Sequence, residues 1–78
     1  MAEGLTMLNT QSDFVQEHRI ELIMLAELAS GYNTKEIGRI EGYSTETVRR
    51  KLLRFQQVLN VCNNIQAYKK ARDRGYLR

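Results

Sequence analysis

Apolar positions recur at helical spacing through the second half of the chain. Between Ser44 and Leu59 they fall at Val48, Leu52, Phe55 and Leu59, in steps of four, three and four. At about 100° per residue these lie on one side of an α-helix. Ser44 is a helix-capping residue type, so the pattern predicts a helix over 45–59. Its opposite side carries Glu46, Arg50, Leu53, Arg54 and Gln57, with Arg49 and Lys51 on the two flanks. One apolar stripe backed by a cationic, hydrogen-bonding face suits the DNA major groove, and it also suits an ordinary amphipathic helix with a solvated face.

The remaining pattern predicts three more helices. Asp13 and Gln16 have the form of a capping box, and a helix runs from there to Ser30, where Gly31 stops it. Its stretch from Ile20 to Ala29 is apolar on nearly every side, so it needs cover all round, from the N-terminal arm or from a second subunit. Asn33 with Glu36 forms a second box and opens a short helix over 34–41. Gly38 inside that helix costs about 1 kcal/mol against Ala, which implies close approach of another helix. Gly42 and Tyr43 then turn the chain into the long cationic helix, the sequence form of a helix-turn-helix. After a linker over 60–63, Asn63 and Gln66 form a third box, and a last helix runs from Asn64 to about Arg74, closed by Gly75. Its apolar residues are Ile65, Ala67, Tyr68 and Ala71. Residues 1–12 have no sustained periodicity and read as an arm whose Leu5, Met7 and Leu8 can pack onto a domain over 13–78. With no Pro, no strand pattern and no repeat, the chain reads as all-α with four helices.

Composition narrows the function classes. Seventy-eight residues, 42% hydrophobic and 27% charged, fit one small packed domain. The most apolar stretch is ten residues long and holds Glu21 and Glu27, far short of a bilayer span. No signal peptide is visible, and the lone Cys62 can form no intrachain disulfide, so the expected location is cytoplasmic and nucleoid-associated. Cys62 reads as a small buried residue and His18 as a surface one; together they cannot make a zinc site of the usual kind, and no cofactor is expected. With one His, one Cys and no Gly-rich phosphate loop after a strand, the sequence gives catalysis no support. Net charge is +3, but residues 1–33 hold five acids and one base, while residues 34–78 hold eleven bases and four acids. Positive charge gathered in one part of a small fold makes a directed field, the footprint of a polyanion site.

The candidate site follows from the 45–59 helix. Arg50 and Arg54 stand one turn apart on its outward face, and either can bond the O6 and N7 of a guanine. Leu53 on the same face can touch a thymine methyl, and Gln57 reaches a base or phosphate at the far end. Arg49, Lys51 and Lys35, with the Thr34 and Thr47 hydroxyls, are better placed for phosphates, as are the backbone N–H groups at the start of the 34–41 helix.

Lys35-Glu36-Ile37, Ser44, Thr47-Val48, Leu59, Val61, Ala67, Ala71, Gly75 and Leu77 keep a familiar spacing, with Glu21 and Gly31 upstream. Over about Glu21–Leu77 this resembles the LuxR/GerE type of helix-turn-helix. Six positions differ from that pattern: Glu17-His18 replaces a Leu-Thr helix opening, Gly38 a small Ala, Glu41 a buried Leu, Lys51 a His and Asn64 an Arg. The resemblance implies a bacterial or phage transcription regulator, in stand-alone form, that binds double-stranded DNA as a homodimer. The last helix then supplies much of the dimer contact, through Ile65, Tyr68, Ala71 and Arg72; the same small-residue face also suits packing on the chain's own first helix. Two other readings share these features: a module like σ-factor region 4 that acts with RNA polymerase, and a protein-interaction module that pairs with a related regulator through its apolar first helix without binding DNA.

Overall fold

A computed structural model describes residues 10–77, with side chains from Asp13 onward. The described chain is all-α, with five helices: α1 (Thr10–Glu17), α2 (Arg19–Ala29), α3 (Thr34–Glu41), α4 (Thr45–Leu59) and α5 (Asn64–Asp73). Residues 10–12, expected in the arm, belong to α1; residues 1–9, with Leu5, Met7 and Leu8, lie outside the described residues.

The expected single helix over 13–30 is two. His18 has φ −111° and ψ 26°, outside the helical range, and the helix is interrupted there. Backbone bonds continue on both sides, from His18 N–H to Phe14 O and from Leu22 N–H to His18 O, each 3.0 Å. The imidazole is turned inward: its ring lies 4.5 Å from Phe14 and 5.1 Å from Phe55, centroid to centroid. His18 is therefore half-buried rather than a surface residue. Phe14 also stacks on Tyr76 at 4.4 Å, so α1 is pinned both to α4 and to the C-terminal segment. Asp13 falls in the first turn of α1 rather than at its cap, so the first expected capping box is absent.

The core is built around α4. Val48, Leu52, Phe55 and Leu59 are all buried, as their spacing predicts, and they meet Leu22, Met24 and Leu25 of α2, Ile37 of α3, and Ala67 and Ala71 of α5. The apolar α2 needs less cover than its composition suggests. Ile20, Ile23, Ala26 and Leu28 are half-buried and Ala29 is exposed. Between α2 and α5 an apolar groove of about 140 Å³ remains, lined by Leu25, Leu28, Ala29, Asn64, Ile65 and Tyr68.

Local signals set the ends of the helices. Asn33 Oδ1 accepts from Glu36 N–H at 2.8 Å, and Glu36 Oε1 accepts from Asn33 N–H at 2.9 Å, a complete capping box. Ser44 Oγ caps α4 by accepting from Thr47 N–H at 3.1 Å. Asn63 caps α5 through Gln66 N–H, but the Gln66 side chain passes it and accepts from Cys62 N–H instead. Cys62 is exposed, contrary to the buried position expected of it, because it sits in this outward connection between helices. Four helices close on six-to-one bonds around a left-handed residue: Tyr32 N–H to Glu27 O past Gly31, Tyr43 N–H to Gly38 O past Gly42, Val61 N–H to Gln56 O past Asn60, and Tyr76 N–H to Ala71 O past Gly75.

The α3–α4 turn explains Gly38. Its carbonyl accepts from both Gly42 N–H and Tyr43 N–H at 2.8 Å. A Cβ on Gly38 would lie 2.5 Å from the Tyr43 carbonyl oxygen. The close neighbour is thus the backbone of the turn itself and not another helix.

Candidate nucleic-acid interface

Burying the Val48–Leu59 stripe fixes the rotation of α4, and that rotation decides which side chains meet solvent. Glu46, Arg49, Arg50, Leu53, Arg54 and Gln57 are all exposed. Leu53 keeps 57% of its surface accessible, a large apolar side chain in the middle of a charged face. Arg50 and Arg54 stand one turn apart beside it, as the spacing requires.

The flanks are more constrained. Lys51 is half-buried, and its ammonium lies 5.2 Å from the centroid of the Tyr43 ring, a cation–π contact that ties it to the α3–α4 turn. Thr47 is half-buried, and its hydroxyl accepts from Ser44 Oγ at 2.9 Å, leaving its own O–H free to donate. On α3, Thr34 is half-buried and Lys35 exposed. Arg39, exposed one turn on from Lys35, extends that basic edge. Its i, i+4 spacing from Lys35 is the signal that places the two on one side of α3. The start of α3 is a poorer anion site than expected, because the capping box uses the Glu36 N–H and sets the Glu36 carboxylate at that terminus.

An acidic edge lies next to the basic one. Glu17, His18 and Glu21 share a cleft of about 210 Å³ with Lys51, Arg54, Phe55 and Val58. Arg54 thus borders carboxylates from α1 and α2, whereas Arg49 and Arg50 do not line that cleft. These residues come from three helices, and no periodicity within one helix encodes their meeting.

The expected subunit-contact residues separate into two groups. Ile65 is 74% exposed and borders the α2–α5 groove with half-buried Tyr68. Arg72 is exposed, its guanidinium 5.8 Å from the Tyr68 ring centroid. Ala71 is fully buried in the chain's own core and has no surface to offer a partner. Lys70 points the other way and donates to Leu59 O at 2.7 Å, tying α5 to the end of α4.

No family model, curated protein or solved structure matches this chain. The chemistry therefore rests on the chain itself. Among the described residues, no three His, Cys, Asp or Glu side chains gather to hold a metal ion, and no helix is long and apolar enough to cross a membrane.

One pair of acids stands apart. Glu27 of α2 lies near Glu41 of α3, and among the described residues Glu27 Oε1 is buried with no hydrogen-bond partner. Burial, then the hydrogen bond to Glu41, then its negative charge push the Glu27 carboxyl up to about 7.

Proposed function

We propose that this chain is a sequence-specific double-stranded-DNA-binding transcriptional regulator that reads the major groove with α4. The observation that carries the proposal is the division of α4 into a fully buried stripe and an exposed face bearing Arg50, Leu53, Arg54 and Gln57. The α3–α4 turn supports it: a rigid, doubly bonded turn holds one short capped helix behind a longer cationic one. The spacing resemblance to LuxR/GerE helix-turn-helix domains supports it as well. In this reading Arg50 is the principal base contact, with Leu53 beside it. Arg49, Lys51, Lys35 and Thr47 grip phosphates, joined by Arg39. Arg54 reads less freely, because the acids of the neighbouring cleft compete for it.

The regulator acts as a homodimer, with Ile65, Tyr68 and Arg72 at the contact and half-sites about one helical turn apart. The α2–α5 groove and the exposed Ile65 favour such pairing. They equally favour the protein-interaction reading, in which a related regulator fills the groove and DNA is not bound. Selection of bound sequences from random duplex DNA tests the first reading, with Arg50→Ala as the comparison. The wild type is expected to enrich a two-fold symmetric site, and Arg50→Ala to lose the preference at one position per half-site, worth roughly 1–3 kcal/mol. Enrichment of the same site by both proteins would show that Arg50 does not read bases. Failure to retain any duplex, with dimers in sedimentation, would support the protein-interaction reading; a module acting only with RNA polymerase would gain duplex binding when polymerase is added.

A further inference from the structure

Leu53 has no apolar neighbour on its own face of α4. One turn before it stand Arg49 and Arg50, and one turn after it Gln56 and Gln57. Arg49, Arg50 and Gln57 are exposed, whereas Gln56 is turned to α5, its Nε2 donating to Asn64 Oδ1 at 2.8 Å. The leucine, 57% open to solvent, is thus an apolar spot framed by hydrogen-bonding groups. Two other exposed apolar side chains belong to recesses of the fold: Val58 lines the cleft with Glu17 and Glu21, and Ile65 lines the α2–α5 groove. Leu53 lines neither. Burial of Val48, Leu52, Phe55 and Leu59 on the far side prevents α4 from rolling to cover it. A ligand for this spot is therefore small and apolar, and is set among groups that bond to Arg. The major-groove edge of a base pair has that form. It presents acceptors and donors, and its one apolar group is the methyl on C5 of a pyrimidine. Three residues of helix rise about 4.5 Å, against about 3.4 Å for one base step. With α4 along the groove and Arg50 on the O6 and N7 of a guanine, Leu53 falls over the neighbouring base pair.

We propose that Leu53 reads the C5-methyl group of the pyrimidine in the base pair next to the guanine bound by Arg50. The inference rests on the function proposed above and deepens it. Thymine always carries that methyl. Cytosine carries it only when methylated, and 5-methylcytosine holds it at the same place on the ring. Leu53 has no side-chain donor or acceptor, so it does not distinguish thymine O4 from cytosine N4. It distinguishes a methylated ring from a bare one. Affinity for a site with cytosine at this position therefore rises when that cytosine is methylated.

The test uses the duplex that the full chain selects from random DNA, with affinity read by fluorescence anisotropy at low salt. Each thymine of either strand is replaced in turn by deoxyuridine, which removes the methyl and keeps the pairing edge. At one position per half-site, next to the guanine whose preference Arg50→Ala loses, affinity is expected to fall about threefold to fivefold, the effect of returning one methyl to water. With cytosine at that position and guanine opposite, methylation at C5 is expected to raise affinity by about the same factor. Leu53→Ala is expected to bring both ratios close to one while the guanine preference of Arg50 persists. Leu53→Gln, polar and of similar length, is expected to do the same, and urea midpoints close to the wild type show that both variants fold. Ratios near one in the wild type, or ratios unchanged in Leu53→Ala, overturn the inference and leave Leu53 a solvated surface residue. A methyl effect confined to positions away from that guanine overturns the placement beside Arg50. Absence of binding to any duplex sinks the DNA reading and this inference together. Sequence-specific binding without a methyl effect sinks this inference alone.

Discussion

Gly38→Ala separates two opposed effects by sign. On helix propensity alone, Ala at an interior helical position is favoured over Gly by about 1 kcal/mol. Here the added Cβ would meet the Tyr43 carbonyl oxygen at 2.5 Å. An ordinary carbon–oxygen contact is about 3.3–3.6 Å, so the turn must move by roughly 1 Å. That oxygen is backbone and cannot rotate aside. Its segment is tied by the Gly42 and Tyr43 N–H bonds to Gly38 O, both 2.8 Å, and by the Ser44 cap. Displacement costs about 1–3 kcal/mol in overpacking and about 1 kcal/mol for a stretched hydrogen bond. Set against the propensity gain, the net is a destabilisation of about 1–3 kcal/mol. For a domain of this size each kcal/mol lowers Tm by about 4–8 °C. Thermal and urea unfolding of the two proteins measure the difference directly. A variant more stable than the wild type by about 1 kcal/mol would refute the reasoning and show that the turn yields easily.

Other perturbations test separate parts of the account. Leu52→Ala removes a core side chain that is 2% exposed on α4 and is expected to cost about 2–5 kcal/mol in urea unfolding; a loss under about 1 kcal/mol would mean that the stripe is not the centre of the core. Phe14→Ala breaks the stack on Tyr76 and the contact with His18, each worth about 0.5–1.5 kcal/mol beyond area burial. Hydrogen exchange is expected to quicken in α1 well before α4, and unchanged α1 protection would show that the aromatic cluster does not hold that helix. Glu17→Gln combined with Glu21→Gln removes the acids that share a cleft with Arg54. Duplex affinity is expected to rise about threefold to tenfold at low salt, with the gain fading as salt is raised; no gain at low salt would place the duplex away from that end of α4.

What could be read in the residues is mostly local. The Val48, Leu52, Phe55 and Leu59 stripe is a 3.6-residue period, and it alone fixes which face of α4 is exposed. The box at Asn33, the cap at Ser44, and the stops at Gly31 and Gly75 are short-range chemistry written in nearby residues. Events decided by distant residues were not legible. No Gly or Pro marks the helix break at His18, where the ring meets Phe55, thirty-seven positions away in the sequence. Gly38 signalled a close approach, but which backbone approaches depends on how the turn folds back. The Glu27–Glu41 pair and the acids beside Arg54 are juxtapositions across helices that no periodicity encodes. Ala71 shows the same limit from the other side: a small residue suits a subunit contact and an interior contact equally, and only packing decided that it is interior.

The central claim is that the exposed face of α4 binds duplex DNA. It is tested most directly by fluorescence anisotropy of a labelled duplex carrying a selected site, titrated with the wild-type protein across a range of salt concentrations. A dimer that neutralises six or more phosphates is expected to show a log–log slope of roughly −5 or steeper. Binding with that slope supports the account. No binding to any duplex at about 50 mM salt, where phosphate contacts are strong, would contradict it.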